Sequence, residues 1–212
     1  MERVNGSTQK QTGMRRAERA AVTRARIAGA ARRLFARDGY GATTLKGIAV
    51  EAGVAVQTVY AVYGSKAGIL AALREDVVRQ PEAEAILGEV RSDPSAIGRL
   101  DRFARSIRLR WEASADVIAI HRDAATTDPS IRAAVADVLQ VRRSGIAVIA
   151  ASLEGSLRPD LEVPAAAAIL DALTMPELYA ELVEVHGWTP DAYEAWLRAA
   201  LRRELLGSDP SA

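Results

Sequence analysis

A chain of 212 residues, 49% of them hydrophobic, has room for one large or two small domains with a substantial core. Its net charge is only +1, but residues 1–66 hold 12 basic and 4 acidic side chains, a balance of +8, and the remainder runs to −7. With no cysteine, disulfides, thiolate metal sites and cysteine nucleophiles are excluded. No run approaches the roughly 20 apolar residues of a membrane span, and the polar start MERVNGSTQKQTGMRR predicts no secretory leader. A cytoplasmic protein without a membrane partner is therefore expected.

In chain order, residues 1–17 are polar and read as a disordered basic arm ending in Arg15 and Arg16, with Arg19 just beyond. A helix follows from about Ala20, because Ile27, Ala31, Leu34 and Phe35 fall on one face. Gly39 stops it. Thr43 or Thr44 caps the next helix, whose inner face is Leu45, Ile48, Ala49 and Ala52. Gly53 provides a sharp turn, and a short helix then covers about 56–63, with Val59 and Tyr63 inside. Ser65 caps the helix after that, and Pro81 interrupts it.

The remainder reads as helical throughout, punctuated by proline. Ser92-Asp93-Pro94 and Asp128-Pro129 each signal a helix start, since Asp caps well and Pro suits the first helical position. The first of these helices carries Leu100, Phe103, Ala104, Ile107 and Trp111 on one face, the second Ile131, Val135, Val138 and Leu139. Val163-Pro164 and Thr189-Pro190 open the last two helices, about 164–186 and 190–206, the first bent at Met175-Pro176 and the second ended by Gly207. The fold class expected is all-α, with a helix-turn-helix domain over 18–66 and a helical domain over 67–212.

Two short helices about a glycine turn, the second followed by a basic helix start, have the layout of a helix-turn-helix on DNA. A major groove about 12 Å wide admits one α-helix. On residues 56–63 the outward side chains are Val56, Gln57, Ala61 and Thr58. Gln57 can read an adenine edge with both amide atoms, and Val56 and Ala61 can meet thymine methyls. Thr58 and Tyr60 carry hydroxyls for phosphate oxygens, and Thr44, Lys46 and Lys66 stand at helix starts where phosphate is favoured. The basic balance of residues 1–66 suits a polyanion, although a basic solvated face would read the same way.

Residues 26–70 resemble the DNA-binding domain of the TetR family of transcriptional repressors. The matching positions are Ile27, Ala30-Ala31, Leu34-Phe35, Gly39-Tyr40, Thr43-Thr44, Ile48-Ala49, Ala52-Gly53-Val54, Val59-Tyr60, Tyr63, Ser65-Lys66 and Leu70. Ala55 stands where family members often carry a capping Ser or Thr, Val62 where they often carry His, and Tyr63 where Phe is more frequent. The resemblance implies that the second domain binds a small-molecule effector and forms a homodimer through the last two helices, with Ile169, Leu170, Leu173, Leu178, Leu182, Tyr193, Trp196, Leu197 and Leu201 shared between internal core and interface. The partner would be double-stranded operator DNA, read as a palindrome. Candidate pocket residues are Phe103, Ile107, Trp111, Ser114, His121 and Met175, with Arg110 placed on the helix surface and His121 near a helix end.

No Gly-x-x-x-x-Gly-Lys, Gly-x-Ser-x-Gly or dinucleotide fingerprint occurs, and neither His121 nor His186 has a carboxylate at i−3 or i−4. Neither an enzyme nor a metal or other cofactor is expected. The expectation is a ligand-responsive DNA-binding repressor. The rival is a helical small-molecule-binding protein with weak or lost DNA binding.

Overall fold

The computed structural model describes the backbone of residues 5–78 and 81–206. Among these residues there are ten α-helices: α1 (Asn5–Asp38), α2 (Leu45–Ala52), α3 (Val56–Tyr63), α4 (Lys66–Val78), α5 (Pro81–Val90), α6 (Ala96–Thr127), α7 (Pro129–Ala151), α8 (Val163–Leu173), α9 (Pro176–Tyr179) and α10 (Pro190–Leu205). An isolated antiparallel bridge joins Leu157 to Leu206. The fold is all-α, and no single helix among the described residues is long and apolar enough to cross a membrane.

The chain divides into two compact units, one through Glu75 and one from Asp76. The boundary thus falls inside α4 rather than at residue 66. Ile69, Leu70 and Leu73 are buried, so this helix is apolar on one side from its first turns. Residues 5–17 also depart from the expected arm, because α1 begins at Asn5 and runs through them. The segment has no proline to break the hydrogen-bond ladder, and Gly6 and Gly13 weaken a helix without ending it.

In the first unit the predicted stripe is the buried one. Ile27, Ala31, Leu34 and Phe35 of α1 meet Ile48, Ala49 and Ala52 of α2 and Val59 of α3 in one core. Gly39 turns out of α1 at φ 82°, and Phe35 and Tyr40 pack with ring centroids 5.2 Å apart. Thr44 is the cap of α2, accepting from the Gly47 N–H at 3.0 Å, while Thr43 is buried and donates to the Gly39 carbonyl at 2.8 Å.

In the second unit α6 is the spine, packed against α5, α7 and α10, and α7 packs on α8. The α6 face Leu100, Phe103, Ala104, Ile107 and Trp111 is buried as its spacing requires. Two predicted starts differ in outcome. Asp128 caps α7 through Ser130 and Ile131, with Pro129 at the first position. At the other, Ser95 caps α6, and Asp93 instead accepts from the Ser95 N–H at 2.9 Å and pairs with Arg102. That pairing holds the Asp93 carboxyl below its usual range. On α7 only Ile131 of the expected face is buried, and Val138 is exposed. Gly207 lies outside the described residues.

The helix expected over 164–186 is broken rather than bent. Proline clashes with an α-conformation in the residue before it, so Met175 is extended (φ −67°, ψ 139°) and α8 ends at Leu173. The chain then makes α9 and a π turn over Ala180–Val185. The wider π spacing brings Glu181 to 3.4 Å from His186, a pairing that i−3 and i−4 spacing misses. Leu170, Tyr193, Leu197 and Leu201, assigned above partly to an interface, are fully buried within the chain.

Gly53 caps α2 in the left-handed region (φ 61°), and a Cβ there would stand 2.8 Å from the Arg26 guanidinium. Gly53→Ala is expected to destabilise the first unit by about 1–3 kcal/mol. Urea unfolding of the purified protein checks this, and an unchanged midpoint refutes the strained-turn account.

Candidate DNA-binding face

α3 is eight residues long and lacks a side-chain cap, because Ala55 has no oxygen to accept an orphan N–H. The Ala55 carbonyl accepts from Thr58 and Val59 at 2.9 and 3.4 Å instead. What orients α3 is tertiary. Val59 is fully buried, and the Tyr63 hydroxyl donates to the Arg24 carbonyl of α1 at 3.0 Å. The Arg26 guanidinium donates to the Ala52 carbonyl at 2.6 Å, closing the end of α2 at the turn into α3. On the outside, Gln57, Tyr60 and Ala61 are exposed and Val56 and Thr58 are half-buried. Thr44 and Lys46, at the start of α2, are exposed as well; the Thr44 hydroxyl oxygen accepts from the Gly47 N–H, which leaves its O–H to donate.

Lys66 behaves differently from the expectation. Its ammonium donates to the Tyr40 carbonyl at 2.7 Å and the Gly41 carbonyl at 3.3 Å, and sits 4.5 Å from the centre of the Tyr40 ring. A cation with two carbonyls and an aromatic face has its charge engaged locally. Lys66 therefore ties the start of α4 to the turn after α1. Nothing in the spacing of Ser65-Lys66 signals this role, because the partner carbonyls lie 25 and 26 residues away. Ser65 caps α4 through the Gly68 N–H at 3.1 Å, as expected.

Of the six candidate pocket residues, five lie on α6 and Met175 stands between α8 and α9. Phe103, Ile107 and Trp111 belong to the packed core of the second unit. Ser114 donates to its own helix, to the Arg110 carbonyl. His121 lies inside α6, not near its end, and is buried, with Nδ1–H donating to the Val117 carbonyl at 2.9 Å. Met175 is half-buried at the α8–α9 break. Only the Trp111 indole reaches that break, donating to the Thr174 carbonyl at 3.1 Å. Arg110 is half-buried rather than surface-exposed, and burial lowers its guanidinium's affinity for a proton.

Residues 27–73 match the family model described as bacterial regulatory proteins, tetR family. No curated protein matches the chain. Among solved structures, NalD, the secondary repressor of the MexAB-OprM multidrug efflux pump in Pseudomonas aeruginosa, is 22% identical with a TM-score of 0.68, covering 89% of this chain and 98% of its own. MbdR from Azoarcus sp. CIB is 22% identical with a TM-score of 0.70, covering 87% and 100%. A protein from Saccharomonospora viridis, described as a transcriptional regulator and solved with choline, is 25% identical with a TM-score of 0.66, covering 87% and 98%.

A side-chain cap is the one local element α3 lacks. Ala55 is exposed with cap-compatible backbone angles (φ −70°, ψ 147°), so Ala55→Ser is expected to stabilise the first unit by about 1 kcal/mol. A shift of the urea midpoint to higher concentration checks it, and a lower midpoint shows that α3 starts by some other geometry.

Proposed function

We propose that this chain, whose residues 27–73 match the family model of the tetR bacterial regulatory proteins, is a ligand-responsive repressor of that family. In this reading a homodimer binds a palindromic operator, and a small molecule entering the second unit releases it. The observation that carries the reading is the exposed face of α3, where Gln57, Tyr60 and Ala61 stand free for a groove while Val59 and Tyr63 hold the opposite side. Gln57 reads a base edge, Val56 and Ala61 meet thymine methyls, and Thr44, Lys46, Thr58 and Tyr60 face phosphates. Lys66 supports this face through the Tyr40–Gly41 turn and the start of α4, where helix N–H groups favour phosphate.

Dimerisation through the last helices has its own support. α8 exposes Ala165, Ala168 and Ala172, and α10 exposes Ala192, Ala195 and Ala199, at the same i, i+3, i+7 spacing. Small side chains let two helices approach closely along such a stripe, and a two-fold pair is the usual oligomer. Two recognition helices about 34 Å apart would then match successive turns of one groove. Release requires that the effector bind the DNA-free arrangement more tightly than the DNA-bound one.

A gel shift on DNA flanking the protein's own coding region, at about 50 and about 200 mM salt, tests the reading; affinity should fall steeply with salt. Gln57→Ala is expected to narrow the gap between specific and random DNA by roughly tenfold. Equal losses on both DNAs would remove Gln57 from base reading. Absence of specific binding at either salt would favour the rival, a helical small-molecule-binding protein that has lost DNA. Separately, Ala195→Glu should convert a dimer to a monomer in sedimentation velocity, and a persisting dimer would place the interface elsewhere.

A further inference from the structure

Among the described residues of the second unit several buried polar atoms lack a hydrogen-bond partner, and two polar groups, the Tyr193 hydroxyl and the Arg110 guanidinium, bear on one region. Tyr193 on α10 is fully buried, and its hydroxyl has no hydrogen-bond partner among the described residues. Such an orphan destabilises the folded chain unless something outside the chain satisfies it. Arg110 on α6 is half-buried, and among the described residues no carboxylate lies within ion-pair distance of its guanidinium. Glu84 acts on it only from beyond ion-pair distance, and burial still lowers its affinity for a proton. By contrast, two other cations on the same helices are matched by carboxylates. Arg108 pairs with Glu112, Asp191 and Glu194, and Arg202 pairs with Asp101.

Both unsatisfied groups border one polar node. The Thr174 carbonyl, at the end of α8, accepts from the Trp111 indole at 3.1 Å and from Arg142 at 2.9 Å. Arg142 also donates to the Thr174 hydroxyl at 2.8 Å and pairs with Asp171. Arg110 is the sequence neighbour of Trp111, and Arg142 lies within electrostatic range of both Arg110 and Tyr193. Tyr179 stands edge-on to Tyr193, with ring centroids 4.9 Å apart. Immediately beyond it the backbone makes the π turn Ala180–Val185, a local irregularity frequent at functional sites.

We propose that this region binds an anionic effector, a carboxylate on an apolar or aromatic body, with Arg110 and the Tyr193 hydroxyl taking the carboxylate and Trp111 and Tyr179 bordering the body. The inference rests on the effector reading above and names the chemical class. Arg142, paired with Asp171, positions Thr174. A cation of the choline kind, as bound by the Saccharomonospora viridis protein, meets repulsion here.

The test uses three matched amphiphiles, octanoate, octan-1-ol and octyltrimethylammonium. Each is titrated calorimetrically into the full chain, and operator release is read in parallel. Octanoate is expected to bind at least tenfold more tightly than the other two. Arg110→Gln should weaken octanoate by tenfold or more and leave octan-1-ol and operator affinity unchanged. Tyr193→Phe should weaken octanoate a few-fold while raising the melting temperature, because it removes an unsatisfied hydroxyl; this separates a ligand contact from a merely structural role. Equal or tighter binding of the alcohol or the ammonium, no binding of any of the three, or octanoate binding that Arg110→Gln does not change, overturns the proposal. Octanoate binding without operator release keeps the anion site and overturns the release mechanism. Release by the ammonium or the alcohol, with octanoate inert, keeps that mechanism and overturns the anion site.

Discussion

An eight-residue helix does not hold itself together in water, where isolated helices shorter than about 12–15 residues are marginal. α3 also starts without a side-chain cap. Its existence and its aim therefore depend on what surrounds it. Val59 anchors it in the α1–α2 core, Tyr63 ties it to the α1 backbone, and Gly53 with Arg26 sets the angle at which it leaves α2. Lys66 fixes the next helix start to the turn after α1. The outer face of α3 is left free because every holding contact is made from the other side. The exposed ion pair Arg33–Glu51 between α1 and α2 adds little to this, since exposed pairs contribute about 0–1 kcal/mol.

The second unit is held by a different balance. Its core is a single apolar cluster in which α6 contributes Leu100, Phe103, Ile107 and Trp111 and α10 contributes Tyr193, Leu197, Leu201 and Leu205. Around the cluster, Arg108 and Arg202 of α6 and α10 bridge the two helices to carboxylates on the opposite one. At Thr174 the helix ladder stops and side chains of α6 and α7 take over its last carbonyl. A helix end buried in this way needs donors from elsewhere in the chain. Trp111 and Arg142 are those donors, which is why Trp111 serves both packing and polarity.

Much of this architecture is legible in the residues. The glycines at 39 and 53, the caps Thr44, Ser65, Asp128 and Thr189, and the stripe from Leu100 to Trp111 all do what their local chemistry predicts. The exposed face of α3 was readable because its apolar and polar positions alternate with helical period. Other features were not. Asp93 forms a turn and an ion pair because Ser95 is also a competent cap, and two adjacent candidates cannot be ranked by residue type. His121 reads as a helix end because Asp123 lies close by, yet α6 continues to Thr127 with the His121 side chain inside. Lys66 read as a phosphate ligand because a basic residue at a helix start is the usual signature, and carbonyl partners distant in sequence leave no local trace.

The residues alone determined the helical class, the position of the helix-turn-helix and the charge division between the two parts of the chain, since period, caps and charge are properties of neighbours along the sequence. Tertiary structure decided which side chains are spent and which remain available. It turned Lys66 inward, buried His121, half-buried Arg110, broke the helix at Met175 and left the Tyr193 hydroxyl without a hydrogen-bond partner among the described residues. The physical reason is the same each time. Whether a polar group is satisfied depends on donors and acceptors brought together across the chain, and sequence spacing does not record that meeting.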